Sequence, residues 1–353
     1  MKKILILSRY SNLAASSRQR FHLFEKTLND EGYLLTYKPL FSDDYIAKIF
    51  GAKQPGKLDI VLAYVRRFWA IVTSSHFDYI WLQYEAFPYL PSVFEKILPI
   101  FNKRIVCDYD DAIFHKYDDW GNWFVKKLLG NKLDTVLIHA DQVICGNAYI
   151  QKWADRINLR TTIIPTVVDC KKYQQDFSYS SDELTIGWIG SPATWCYMEP
   201  YLDFLSALSI KHQFDVLIIG SGLSDPLPGR FRLSEWSEES EVQDIHEMHI
   251  GIMPLPDDKW AQGKCGYKLI QYMAASIPVI ASPVGMNSKI VEHGVNGFLA
   301  STQADWEEAI LTLISNPEIR KKMGIEARNM VKSQYSLQSQ SQTITNIFHS
   351  LGN

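Results

Sequence analysis

No CxxC pair occurs among the five cysteines, Cys107, Cys145, Cys170, Cys196 and Cys265. Their number is odd and they lie far apart, which excludes a disulfide framework and fits a reducing, cytoplasmic setting. No run approaches the roughly 18 consecutive apolar residues of a membrane-spanning helix. The opening "MKKILILSRY" holds an apolar run of only Ile4 to Leu7. That is too short for a signal-peptide core and reads as a first buried strand. Basic residues are not in excess: 36 Lys and Arg against 39 Asp and Glu give a net charge of -3. A nucleic-acid-binding domain is normally basic, so nucleic acid is not an expected partner. There is no internal repeat with a period of roughly 20–50 residues. No Ser/His/Asp or Cys/His arrangement is legible. "HEMH", His246 to His249, has the wrong spacing for the HExxH zinc motif and reads as structural helix.

What is present is a packed α/β chain. With 353 residues, 46% hydrophobic and 21% charged, two domains of roughly 150 residues are expected. Short apolar runs alternate with helical patterns, the signature of parallel sheets. In the first half the expected strands are "KILILS", "YIWLQY", "RIVCDY", "QVICGN" and "TTIIPT". The polar stretch Cys170 to Glu183 reads as a linker. The alternation then restarts with "LTIGWIG", "FDVLIIG", "IGIMPL" and "PVIAS", while "FRLSEWSEESEVQDIHEMH" reads as a loop and a helix. A helical block runs from Asp305 onward with a break near Asn316-Pro317. Two such halves in succession predict two facing Rossmann-like domains, whose ligands bind at the carboxyl ends of strands and in the cleft between.

The most informative stretch is "GKCGYKLIQYMAASIPVIAS", Gly263 to Ser282. The apolar positions from Tyr267 to Ala275 follow helical spacing. Lys264 and Lys268 flank Gly266 where this helix begins. Like charges at that spacing repel. A helix N-terminus with a glycine that admits close approach, and with two ammonium groups, is physically a phosphate cradle. Two solvated lysines at a helix start are the alternative.

Residues 263–300, "GKCGYKLIQYMAASIPVIASPVGMNSKIVEHGVNGFLA", resemble the C-terminal signature of family 4 glycosyltransferases, also called glycosyltransferase group 1, of GT-B fold. "IGWIGSPATWCY" resembles the first strand and loop of that family's donor domain. "CDYDDAIF", "ADQVICGNAYI" and "IIPTVVD" resemble its N-terminal domain, so the similarity spans almost the whole chain. The resemblance implies an acceptor domain over 1–170, a nucleotide-sugar donor domain over 184–335, and a C-terminal helix, 336–353, returning to the first domain. It implies donor contacts from Gly190, Ser191, Thr194, Lys264, Gly266, Tyr267, Lys268 and Gln271. The family's Glu-x7-Glu pair is replaced by Gly263 and Gln271. Gln271 can still hydrogen-bond a ribose or sugar hydroxyl, without charge. The Arg and Lys that many members carry early in the second domain are missing between Gly190 and Lys211, so Lys264 and Lys268 are expected to supply the charge.

"VCDYDDAIF" places Asp108, Asp110 and Asp111 at the end of a strand. Carboxylates so close must be solvated, hydrogen-bonded or paired with a cation. Asp110 and Asp111 are the preferred catalytic pair, either binding acceptor hydroxyls or stabilising cationic sugar character. A solvated loop or helix cap is the other reading. Asp108-Tyr109-Asp110 matches the Asp-x-Asp of GT-A enzymes, but the two-domain pattern points to GT-B, where a metal is usually not needed. Ser16, Ser17 and Arg18 follow the first strand and could line the cleft or merely cap a helix. Asn147 is another residue at a strand end.

The resemblance implies a hexosyl transferase that retains anomeric configuration. It would take a nucleoside diphosphate sugar as co-substrate, without cofactor or metal, and act on a saccharide or lipid-linked acceptor. Bacterial surface-polysaccharide synthesis is the setting it suggests. "YVRRFWAIV" and "WGNWFVKKLLGNK" mix basic and aromatic residues, and a lipid-linked acceptor would bring them to the inner face of a membrane as a peripheral contact. Ordinary amphipathic helices over a core are the preferred reading of both. A nucleotide-sugar 2-epimerase and a non-catalytic GT-B partner subunit are the rival readings.

Overall fold

The computed structural model describes residues 1–50, 56–102, 104–118, 123–174 and 184–352. The chain divides into two units, Met1–Thr166 with Gln340–Asn353, and Val167–Ser339. Residues 175–183 of the expected linker lie outside the described residues.

The first unit is built on six parallel strands: β1 (Lys2–Leu7), β2 (Tyr33–Tyr37), β3 (Tyr79–Gln83), β4 (Ile105–Tyr109), β5 (Gln142–Cys145) and β6 (Thr161–Ile163). Their order is β2-β1-β3-β4-β5-β6. β3 and β4 are buried along their whole length, as expected of strands covered by helices on both faces. The order reverses between β1 and β3, which makes their carboxyl ends a natural crevice. β2 is absent from the sequence-based list. It lies at the sheet edge with a mixed burial pattern, so its apolar signal is weak.

The helix Leu337–Gly352 ends the chain, and its residues from Gln340 onward belong to the first unit. Phe348, fully buried, anchors it: its ring centroid lies 5.4 Å from that of Trp81, 5.5 Å from Tyr79 and 5.7 Å from Tyr33.

The second unit carries β7 (Thr185–Ile189), β8 (Asp215–Ile219), β9 (Phe231–Ser234), β10 (Ile250–Met253), β11 (Val279–Ala281) and β12 (Gly297–Leu299). The strands are all parallel, in the order β12-β11-β10-β7-β8-β9. The switch point falls between β7 and β10. β9 occupies a segment expected to be loop and helix; its helical part is Glu241–His246. β9 is a half-buried edge strand, and four residues give little periodicity to detect. β12 is short for the same reason. The helical block breaks at Asn316, with Pro317 opening the next helix, because proline tolerates the first turn but not the interior.

Both units are thus α/β with doubly wound parallel sheets, and the C-terminal helix packs on the first.

Candidate functional site

In the second unit the helix Tyr267–Ala274 starts near the switch point. Gly266, its N-cap, has φ +70° and ψ 21°, a left-handed conformation that glycine adopts without a Cβ penalty. A side chain there would also meet Ile290, with Cδ1 only 2.4 Å from an added Cβ. The helix is locked against β7 by Tyr272, whose hydroxyl accepts the Ile189 N–H at 2.8 Å. Leu269, Ile270, Tyr272 and Met273 are fully buried.

That lock brings Lys268 to the carboxyl end of β7. Its ammonium lies 4.1 Å from the Trp188 ring centroid and 3.4 Å from Thr194 Oγ1. Gly190 leaves the room: an added Cβ would stand 2.2 Å from the Trp188 ring and 2.8 Å from Lys268 Nζ. Ser191 and Thr194 form a reciprocal cap on the turn Pro192–Tyr197, with Ser191 N–H donating to Thr194 Oγ1 at 3.0 Å. Lys264 is held over two aromatic faces, 5.3 Å from the Tyr197 centroid and 5.9 Å from that of Trp260.

Lys268 is half-buried. Burial of its ammonium, and secondly the charge of Lys264, push its pKa down to about 7. Neither lysine is paired with a carboxylate among the described residues. Two amines, a hydroxyl and a helix N-terminus therefore converge without a carboxylate partner, which is the electrostatic form of an anion site.

Tyr267 is half-buried at the same helix start. Gln271 lies deeper. It is 2% exposed, and its amide donates to the Tyr173 hydroxyl at 3.1 Å. Arg328 ties this region together, donating to the carbonyls of Ala274, Tyr173 and Cys170. The structure brings Gly190, Thr194 and Lys268 into direct proximity, while Gln271 is engaged with Tyr173.

In the first unit the acidic residues separate by partner. Asp108 is fully buried and takes two hydrogen bonds from Arg20, at 2.8 and 3.2 Å, and one from the Trp81 indole at 3.2 Å. Burial outweighs the Arg20 charge and pushes its pKa up to about 6. The carboxylate expected at the cleft is thus internal, binding β4 to the helix Ala15–Arg20. Asp110 is 4% exposed and accepts from the Tyr84 hydroxyl. Asp111 is half-buried. Ser17 and Arg18 hold their own loop: Ser17 donates to the Tyr10 carbonyl at 2.7 Å, and Arg18 to those of Asn12 and Leu13 at 3.0 and 2.9 Å. Ser16 is half-buried. Asn147 is a helix cap, accepting the Ile150 N–H at 2.9 Å. His249 Nδ1 accepts from Thr185 N–H at 3.2 Å, a structural role.

Residues 202–330 match the model of the family described as glycosyl transferases group 1. The match lies within the second unit. An uncharacterized glycosyltransferase of Methanocaldococcus jannaschii is 34% identical over 235 residues, 63% of this chain; the match spans 61% of that relative's length. Among solved structures, HepE of Anabaena in complex with UDP and glucose superposes with a TM-score of 0.72 at 15% identity, covering 99% of this chain and 100% of that one. Sucrose-phosphate synthase of Thermosynechococcus elongatus gives 0.68 at 14%, covering 99% of each. At such identities the likeness shows the fold, which is GT-B.

Sequence reading did not single out Trp188, whose ring lies under Lys268. The signal was there in "GWIG", an aromatic two residues before a strand-end glycine. It also missed the first unit's switch-point cluster. Arg9 donates its backbone N–H to Gln83 at 2.9 Å and its guanidinium to the Tyr89 hydroxyl at 3.3 Å. Nearby, Glu85 accepts from Tyr117 at 2.7 Å and pairs with the buried Lys132 at 2.7 Å. These residues stand far apart in sequence, and only the parallel topology gathers them.

Proposed function

We propose that this chain transfers a hexosyl unit from a nucleoside diphosphate sugar to a hydroxyl of a saccharide or lipid-linked saccharide, with retention and without a metal. The observation that carries this reading is Lys268, set between Trp188, Thr194 and Gly190 at the switch point of the second sheet. As the glycosidic bond breaks, the leaving diphosphate gains negative charge. A cation fixed in place beforehand lowers that barrier without reorganisation, and losing such a contact typically costs about 10²-fold or more in rate. Lys264 adds a second charge. Retention follows from the family resemblance: the donor's own phosphate oxygen takes the acceptor proton as the acceptor oxygen attacks on the face the diphosphate leaves. In this reading Asp111, half-buried, binds acceptor hydroxyls, with Asp110 behind it held by the Tyr84 hydroxyl. A structure of HepE holds UDP-glucose, so uridine is the first base to test. Among the described residues no helix is long and apolar enough to cross a membrane.

Gln271 favours a second reading. A neutral, buried amide bonded to Tyr173 stands where the family has a carboxylate, which suits a subunit that binds donor without turning it over.

The deciding experiment incubates the purified chain with UDP-glucose, GDP-mannose and related donors, with candidate saccharide acceptors and EDTA. Release of nucleoside diphosphate together with an α-linked product from an α-linked donor supports transfer with retention. A β-linked product overturns retention. Binding without release favours the non-catalytic subunit.

A further inference from the structure

A second concentration of basic side chains lies in the first unit. The helix Lys57–Val72 carries Arg67 on its inner side, only 2% exposed. Its Nη2 donates to the carbonyl of Ser8, just beyond β1. Its Nε and Nη1 have no hydrogen-bond acceptor among the described residues. A buried guanidinium with two idle donors is costly unless something supplies acceptors. Burial lowers its pKa to about 9; Glu95, then Tyr64, oppose this. Glu95 is already committed, 3.3 Å from Lys132 and accepting the Ala86 and Phe87 N–H groups at 3.0 Å each.

Arg67 forms part of the wall of a surface pocket of about 470 Å³, together with Lys38, Leu40, Arg66, Trp69 and Ala70. Lys38 and Arg66 are exposed. Among the described residues no carboxylate lines this pocket. Arg66 also borders the adjoining depression with Asp44 and Asp59; Asp59 pairs with Lys48 at 2.9 Å and also feels the Arg66 charge.

We propose that this pocket binds a phosphate group, with Lys38 and Arg66 contacting its oxygens and Arg67 fixing a third positive charge in the wall behind them. Guanidinium forks match phosphate geometry, and charge buried in low dielectric is screened less than charge in water. The phosphate can belong to a small soluble ester or to a lipid headgroup. The lipid source draws support from the same helix, where Val65, Phe68 and Trp69 are 46%, 43% and 59% exposed, an apolar face beside a basic one. The site is independent of the donor cradle and does not require the chain to transfer sugar.

The test uses the full chain at low salt, with inorganic phosphate as probe by calorimetry, and vesicles of phosphatidylcholine with or without phosphatidylglycerol by co-sedimentation. Two double variants separate the sites: Lys38→Gln with Arg66→Gln, both exposed and safe for folding, and Lys264→Ala with Lys268→Ala. The expected result is saturable phosphate binding that survives the second double variant and weakens about tenfold or more in the first. Retention on phosphatidylglycerol vesicles, lost in the first double variant, identifies the lipid source; phosphate binding without vesicle binding identifies a soluble one. Absence of saturable phosphate binding, or binding lost only with Lys264 and Lys268, overturns the proposal.

Discussion

The ammonium of Lys268 stands over the Trp188 ring, 4.1 Å from its centroid, with Thr194 Oγ1 at 3.4 Å. A ring face is a weak partner for a cation compared with a carboxylate. It holds the lysine in place without a carboxylate partner, so an incoming anion meets no competing negative charge.

The first consequence concerns pH. In the free protein the pKa of Lys268 is about 7, against an ordinary 10.5. A bound diphosphate favours the ammonium and raises it. Binding is therefore linked to proton uptake. Affinity should be level below about pH 7, then fall by up to about tenfold per unit as pH rises toward the bound-state pKa. Calorimetry of UDP binding in buffers of different ionisation enthalpy measures the uptake directly. No net uptake near pH 8 would contradict this assignment.

Gly190→Ala should damage both stability and binding. The added methyl meets the Trp188 ring at 2.2 Å and Lys268 Nζ at 2.8 Å, and Trp188 is 1% exposed, with nowhere to go. Overpacking of this kind costs about 1–3 kcal/mol. Urea denaturation should show a lower midpoint, and UDP titration a weaker complex. An unchanged midpoint would mean that the ring moves freely.

Gln271→Glu places an acid in a site that is 2% exposed. Burial raises the new carboxyl above the roughly 4.3 of an unfolded glutamate. The folded state then holds the proton more tightly than the unfolded one, so the variant loses stability as pH rises through that window. The deficit relative to the parent should be about 1–3 kcal/mol at pH 8 and shrink toward pH 5. Denaturation curves at the two pH values check it; an equal deficit at both would show that the carboxylate stays charged.

Much of this was legible in the residues. The buried strands β1, β3, β4, β5, β7 and β8 announce themselves as apolar runs, and the Lys264–Gly266–Lys268 pattern marks the helix start before any coordinate is known. What was not legible depends on long-range pairing. Asp108 and Asp110 look alike in "CDYDD" and both are buried, yet Asp108 is held by Arg20, 88 residues away on another helix, and Asp110 by the Tyr84 hydroxyl. The half-buried edge strands β2 and β9 carry no continuous apolar run. Arg67 sits in "YVRRFWAIV" beside Arg66, and nothing local says which of the two is buried; the helix register against the Ser8 carbonyl decides it.

The C-terminal helix should be energetically part of the first unit. Phe348→Ala removes a fully buried ring packed on Tyr33, Tyr79 and Trp81. A loss of about 3–5 kcal/mol is expected. Hydrogen exchange should show it as faster exchange in β1 and β3 and unaltered protection in β7 and β10. Equal loosening of both units would contradict the assignment of residues 340–352 to the first.

The most direct measurement is calorimetric titration of UDP, with GDP and ADP in parallel, into the parent chain and into Lys268→Ala at low salt with EDTA. One diphosphate should bind the parent saturably, and the variant should bind it about 10- to 100-fold more weakly, the scale of a lost charge-assisted hydrogen bond. Equal affinity in the two proteins would contradict the account of Lys268 as the cation that holds the donor's diphosphate.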